Sequence, residues 1–466
     1  MAGSLPLETL QQIFSYQPDS VIQYACVCRQ WQAAAETFTF AELHINSEDL
    51  ESFRHIVASS RCPGRYFHVR SLYFKVVLPV YSHRARGRYE NEDDRHANNK
   101  VFTQAITSLF DILSSWPDYD RYQIVLQIYA RSPSDWQAEP DWTTRRGRQQ
   151  LGYAFPEQDL LHRRYERSYL QLTKKVPLPD VKCITTFEVR GSDTLRNIAP
   201  DAVSGMVSHF PRLETIIASL RDNEPKDAEI SDSLGIDFSL TGWPRSLRQL
   251  DLRYEAMPPL ADNFSAPFSP IPDFRCRALH QLTQQLESVD LLQIMIGPEL
   301  FWPSDASHTA PFWPILTKFT ASCRYLPPYG FIPFGESRKL DESSSPVPSD
   351  VSLEQSDEQR QNLYPRMLRK YLDELFLAAG RAAQCMPRLS YMEIDIGTLR
   401  VPAFEFCFRY DATLGTATWT TFSEFCLLKE VHEAWDVAAK SHGHAQISAD
   451  VLSAESSLSD ESSLSP

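Results

Sequence analysis

The sequence predicts a mixed α+β and α/β chain. It reads as a short N-terminal trio of helices, an irregular array of short parallel strands, and a closing β-hairpin with a helix. Three observations carry this reading. Leu7, Leu10 and Phe14 recur at helical spacing near the N-terminus. Beyond residue 65 an apolar-x-x-apolar-x-apolar pattern returns seven times. Near the C-terminus FEFCFRY alternates strictly, as a half-buried strand does.

The helical trio comes first. Pro6 suits the first helical position and Glu8 the positive end of that helix. Pro18-Asp19 breaks the pattern, with Asp19 as N-cap of a second helix through Ile22, Ala25 and Cys26. A third helix is expected from about Gln30 to Glu36, after which FTFAELHI turns strand-like. About forty residues cannot bury enough apolar surface to stand alone. This stretch is therefore either the start of a larger core or a docking surface completed by another protein.

The recurring pattern appears as Val69/Leu72/Phe74, Ile184/Phe187/Val189, Leu213/Ile216/Ala218 and Leu247/Leu250/Leu252. It returns as Leu286/Val289/Leu291, Leu316/Phe319/Ala321 and Leu389/Met392/Ile394, several copies following a similar lead-in (FPRL, WPRSL, FWPIL, MPRL). This is the strand signature of leucine-rich repeats, whose last apolar residues point inward from a short parallel strand. The starts at 184, 213, 247, 286 and 316 are unevenly spaced, and the customary asparagine after the strand is missing. The reading is a divergent leucine-rich-repeat-like solenoid over 65–400. Between the outer copies lie an amphipathic helix (Val101, Ala105, Leu109, Leu113, Trp116), a strand-like YQIVLQIYA and the loop SPSDWQAEPDW. A Ser-, Pro- and acid-rich insertion at about 337–361 is expected to be disordered. A strong helix follows from Pro365, with Leu368, Tyr371, Leu372, Leu375, Phe376 and Ala379 on one face.

Residues 401–444 read as a hairpin and helix packed on the repeats. Phe404, Phe406 and Phe408 share one face of the first strand, and Glu405, Cys407 and Arg409 the other. A turn around Asp411–Gly415 leads to a strand with Trp419, and Thr421 with Glu424 resembles a capping box. The last helix would carry Phe425, Leu428, Val431 and Trp435 inward. Residues 445–466 are expected to be a disordered acidic serine-rich tail, in which Ser457 and Ser465 suit acid-directed and proline-directed phosphorylation.

Composition narrows the function. The 466 residues carry a net charge of −14, which argues against a dedicated nucleic-acid binder. The arginines at 145, 146, 148, 163, 164 and 167 have acidic neighbours and read as solvated helix faces. Nine cysteines suit free thiols in a reducing compartment, and MAGSLPLE lacks the charged and apolar regions of a secretory signal. No run approaches a membrane span. The expected location is cytoplasmic and/or nuclear. Nucleotide, nucleophile-elbow and zincin motifs are absent from the sequence. Cys26 and Cys28 read as buried structural thiols, Asp93-Asp94 as a solvated loop, and His442 and His444 as no metal site. No catalytic residue, cofactor or metal is expected, and the chain reads as non-enzymatic.

Leu5-Pro6-Leu7-Glu8, the apolar helix through Leu10, Ile13, Phe14 and Tyr16, and Val27-Cys28-Arg29-Gln30-Trp31 together resemble an F-box over about residues 1–45. The segment departs from the family pattern at Gln17, where an apolar residue is usual, and in a link one residue short. The resemblance implies docking onto a Skp-type adaptor and, through it, a cullin–RING ubiquitin ligase. By position Leu5, Pro6, Leu7, Leu10, Ile13 and Phe14 would meet the adaptor. Ile22, Val27 and Trp31 would partly join them and partly hold the helices together. The remainder, through FWPIL…LPPYGF and EVHEAW, is similar to extended F-box proteins of filamentous fungi. The implied role is the substrate receptor of a Skp–cullin–F-box ligase, holding an unidentified protein target. The alternative is a non-degradative platform that engages the adaptor alone.

Overall fold

The structure is a computed structural model. It describes residues 5–16, 21–57, 64–119, 122–136, 161, 164–165, 168–173, 177–189, 196–222, 242–256, 274–294, 296–303, 310–323, 369–397, 406–421 and 426–453. The chain divides into two units, Met1–Glu224 with Thr241–Leu247, and Pro225–Leu240 with Arg248–Pro466.

The first unit opens with helices α1 (Leu7–Ser15), α2 (Val21–Tyr24) and α3 (Arg29–Thr39). The second helix is shorter than its apolar spacing suggests: Ala25 and Cys26 lie in the turn that follows it, and α3 begins at Arg29 and runs past Glu36 to Thr39. Asp19 and Gln17 fall outside the described residues. Strand β1 (Glu42–Asn46) follows α3 directly and pairs parallel with β2 (Ser71–Val77), while α4 (Leu50–Val57) fills the connection. Helix α5 (Glu92–Ser114) leads to β3 (Ile124–Arg131) and the short α6 (Pro133–Trp136). A small parallel pair, β4 (Tyr169–Leu170) and β6 (Asn197–Ile198), flanks β5 (Ile184–Val189) in the chain. Helix α7 (Pro200–Val207) precedes β7 (Thr215–Asp222). The main sheet of this unit runs β1-β2-β3-β5-β7, all parallel.

In the second unit β8 (Gln249–Ala256), β9 (Ser288–Leu292), β10 (Lys318–Cys323) and β11 (Tyr391–Ile396) are parallel. Helix α8 (Phe274–Thr283) lies between β8 and β9, and α9 (369–383) between β10 and β11. The direction then reverses at β12 (Phe406–Asp411) and again at β13 (Thr416–Thr421). Helix α10 (Lys429–Ser441) and β14 (Ser448–Ser453) close the unit, β14 lying parallel to β13.

The recurring sequence pattern accounts for seven of the fourteen strands among the described residues. In six of the seven copies the last two apolar residues fall on β2, β5, β7, β9, β10 and β11, and those of the remaining copy, Leu250 and Leu252, on β8; all of them are buried. Alternation does the sorting: β2 and β3 bury every second residue and leave the others half-exposed. The lead-ins dock each strand on its neighbour. Glu214 N–H donates to Thr185 O, Thr317 N–H to Glu287 O, and Ser390 N–H to Thr317 O, each at 2.8 Å. Buried Phe210 packs 5.2 Å from Phe187, and the Trp313 indole donates to Thr283. In the C-terminal unit Trp435 stacks near Phe408 at 4.6 Å and donates to Phe376 O. A Cβ at Gly380 would crowd the Trp435 ring, so only glycine lets α9 approach that closely.

Several expectations are corrected. The segment Ser448–Ser453, read from its serines and acids as tail, is a strand: Ala449 opposes Ala417 and Val451 opposes Trp419. Its start is pinned by Ser448 N–H to Gly415 O and by His444, which bonds Ala412 O against the tight, positive-φ turn at Gly415. Thr421 is no helix cap; it pairs with Phe406 in β13, and the last helix begins at Lys429 with Leu428 half-exposed ahead of it. Arg164 is not on a solvated face but fully buried. Asp93 and Asp94 sit in the first turn of α5 rather than in a loop. The insertion at 337–361, Phe404, Glu405, Glu424 and Phe425 lie outside the described residues.

A docking surface on the N-terminal helices

Leu10, Phe14, Val21, Ala34 and Ala35 are buried together, with Tyr24, Ala25, Trp31 and Phe38 packed around them. Phe14 is the hub. It stacks on Tyr24 at 5.3 Å and meets Trp31 and Phe38 edge-on. Such aromatic pairs add about 0.5–1.5 kcal/mol beyond area burial. The trio thus closes its own small core.

The sequence-derived docking residues split on this core. Leu10 and Phe14 are spent inside it, because their spacing on α1 turns them toward α2 and α3. Trp31 is half-buried against Phe14 and Tyr24. Leu5, Pro6, Leu7 and Ile13 remain outside, and so do Ile22, at 73% exposure, and Val27, at 59%. Tyr16, quoted in the helix motif but left out of the expected contacts, is the most exposed apolar residue of the trio at 78%. Its position after Ile13 on α1 was the available signal. Cys26 and Cys28 are exposed rather than buried, since they occupy the turn between α2 and α3 instead of a helix face. The Gln30 side chain donates to Leu5 O at 2.5 Å and fixes the entry of the chain beside α3.

The trio is fastened to the first sheet. Arg65 pairs with Glu36 of α3 at 2.5 Å, lies over the Phe40 ring at 5.0 Å, and donates to Ile56 O. Burial alone would raise the Glu36 carboxyl, but hydrogen bonds from Arg65 and Gln32 hold it below the usual range. Arg70 and Ser71 N–H both donate to Ala41 O, joining β1 to β2.

Elsewhere polar side chains gather in buried, hydrogen-bonded clusters. Arg164 reaches Asp94 at 3.0 Å and Ala85 O, and stacks over Tyr81 at 4.0 Å; Arg196 pairs with Glu90 at 2.7 Å. Asp135 accepts from the hydroxyls of Tyr81 and Tyr165. Two arginines thus meet two carboxylates, Glu90 and Asp94, while Arg86 donates to Ser134 O. Burial pushes the thiols of Cys183 and Cys407 up to about 12, far from a reactive thiolate. His442 bonds both Tyr410 and Met386 O. Among the described residues no three His, Cys, Asp or Glu side chains gather as a metal site, and no helix is long and apolar enough to cross a membrane.

Comparison with known proteins adds two matches. Residues 360–463 match a family of unknown function (DUF6546), which spans α9 through β14 as one block. No curated protein matches the chain. Residues 2–44 match the F-box-like family, and the chain therefore carries an F-box-like domain on its N-terminal helices.

Proposed function

We propose that the chain is the substrate-recognition subunit of a Skp–cullin–F-box type ubiquitin ligase. The F-box-like helices would dock a Skp-type adaptor, and the leucine-rich-repeat-like strands would hold a protein target. The chain itself would be non-catalytic and act in the cytoplasm, the nucleus or both. Transfer would gain from effective concentration, the target being held near a ubiquitin-charged enzyme supplied by the complex. One observation supports this most. The trio has a complete core, yet Leu5, Leu7, Ile13, Tyr16, Ile22 and Val27 stay exposed on fewer than forty residues. Folding alone does not call for that apolar set, and a partner face does.

The target surface in this reading is the half-exposed face of the sheets. It presents Tyr73, Gln127 and Glu188 across β2, β3 and β5, and Asp290, Thr320, Glu393 and Arg409 across β9 to β12. The experiment is proximity labelling with intact and F-box-deleted chain under proteasome inhibition. Adaptor and cullin should be labelled by the intact chain alone, whereas target proteins held by the strands should be labelled by both chains and accumulate under proteasome inhibition. Adaptor without cullin would instead mark a non-degradative platform, and labelling of neither would end the reading.

A further inference from the structure

Strand β14 ends the order of strands in its unit, and no described strand pairs with its outer edge. Its hydrogen-bond phase is known, because Ser448 N–H donates inward to Gly415 O. In a parallel ladder alternate residues bond to the same side. Ser448, Asp450 and Leu452 therefore face β13, while the N–H and C=O groups of Ala449, Val451 and Ser453 face away. Natural edges are blunted with proline, charged side chains and lysine above all, bulges or short length, and the one charge on β14 is Asp450. Ser-Ala-Asp-Val-Leu-Ser has neither proline nor lysine, and its six residues pair with β13 in unbroken register.

The side chains add a chemical preference. Val451 and Leu452 are 44% and 46% exposed on opposite faces, and exposed Asp450 shares the face of Leu452. Residues 445–466 carry four carboxylates, Asp450, Glu455, Asp460 and Glu461, and no lysine, arginine or histidine. A second copy pairing here would set two all-acidic stretches side by side, which like-charge repulsion disfavours.

We propose that the free edge of β14 takes up an extended, lysine- or arginine-bearing segment of a partner protein as an added strand. Backbone bonds to Ala449, Val451 and Ser453 would hold it. An alternating segment would lay apolar side chains beside Val451 and cationic ones beside Asp450. This inference is independent of the adaptor role of the N-terminal helices.

The test uses the full chain and a fluorescein-labelled peptide of about eight residues alternating lysine and valine, a length that matches one strand. Fluorescence anisotropy should report binding. Val451→Pro removes an outward N–H and leaves both the charge and the β13 ladder in place, so it should weaken binding about tenfold or more. The glutamate–valine peptide and the lysine–valine peptide N-methylated throughout should fail to bind the native chain, a result that stands even if the proline variant misfolds. Equal binding of lysine and glutamate peptides, undiminished binding of the methylated peptide, or undiminished binding by a folded Val451→Pro chain would each overturn the proposal. So would self-association of the native chain that Val451→Pro abolishes.

Discussion

The F-box-like helices and the open face of the strands both expose about every second residue, and they expose opposite chemistry. Outward positions of the strands are mostly polar, as at Thr320, Ser322, Glu393, Thr418 and Thr420, with Val77, Val125, Ile217 and Leu292 as half-buried exceptions. The helical trio exposes Glu8, Gln12 and Gln23 too, but adds Leu5, Leu7, Ile13, Tyr16, Ile22 and Val27. A one-sided sheet sheds its apolar residues from the wet face because nothing there selects for them. The helical trio keeps them although its own core is closed by Leu10, Phe14 and Val21. Exposure by itself marks no site. The concentration of such apolar exposure on so short a segment is what distinguishes the helices, β14 carrying only Val451 and Leu452.

Adjacent residues on α1 give the sharpest way to break that comparison. Phe14→Ala removes the hub of the core and should cost about 3–5 kcal/mol, read from denaturant unfolding of the N-terminal helices. Arg164→Ala should cost the first unit a similar amount, about 3–5 kcal/mol, because it strands buried Glu90 beside one remaining cation. Either variant with near-native stability would mean that burial here carries little energy. Ile13→Ala, one residue from Phe14, should leave stability within about 0.5 kcal/mol and weaken adaptor binding. On the sheet face Thr320→Ala should change stability by no more than about 0.5 kcal/mol and leave adaptor binding alone.

The smallest effect concerns the junction between helices and sheet. The Glu36 carboxyl is held below its ordinary value of 4.5 in the folded chain. Its pairing with Arg65 therefore stabilises the fold at neutral pH and is lost as pH falls below 4.5 and through the lowered folded value. Glu36→Gln should lower the urea midpoint slightly at neutral pH and match the native chain in strong acid. A difference that persists in acid would place the effect outside this ion pair.

Much of the fold was legible because one short pattern repeats. In Leu286/Val289/Leu291 or Leu389/Met392/Ile394 the two final apolar residues are two positions apart, a spacing that only a strand turns to one face. The helices α5 and α9 were legible for the same reason at the longer period. Strand β14 was hidden because a single exposed Val-Leu pair among serines carries no periodic signal; its order comes from Trp419, Gly415 and His444, distant in sequence. Arg164 was misread because composition gives the average environment of an arginine, whereas its carboxylate partners, Glu90 ahead of α5 and Asp94 in its first turn, lie some seventy residues away. Cys26 and Cys28 were misplaced by extending α2 through a turn. In the docking surface the apolar set was legible, but its division into core and face was not. Spacing places Leu7, Leu10, Ile13 and Phe14 on neighbouring stripes, and only the position of α3 decides which stripe is covered.

The central claim is that exposed Leu5, Leu7 and Ile13, in and just ahead of α1, bind the adaptor, and not the buried Leu10 and Phe14. The direct measurement is the affinity of the full chain for a purified Skp-type adaptor, comparing the native protein with a Leu5→Ser, Leu7→Ser, Ile13→Ser variant. Circular dichroism and unfolding are followed on the same samples. The account predicts native-like folding and stability in the variant with affinity lower by about a hundredfold or more, equivalent to about 3 kcal/mol. Native affinity in a folded triple variant would contradict it.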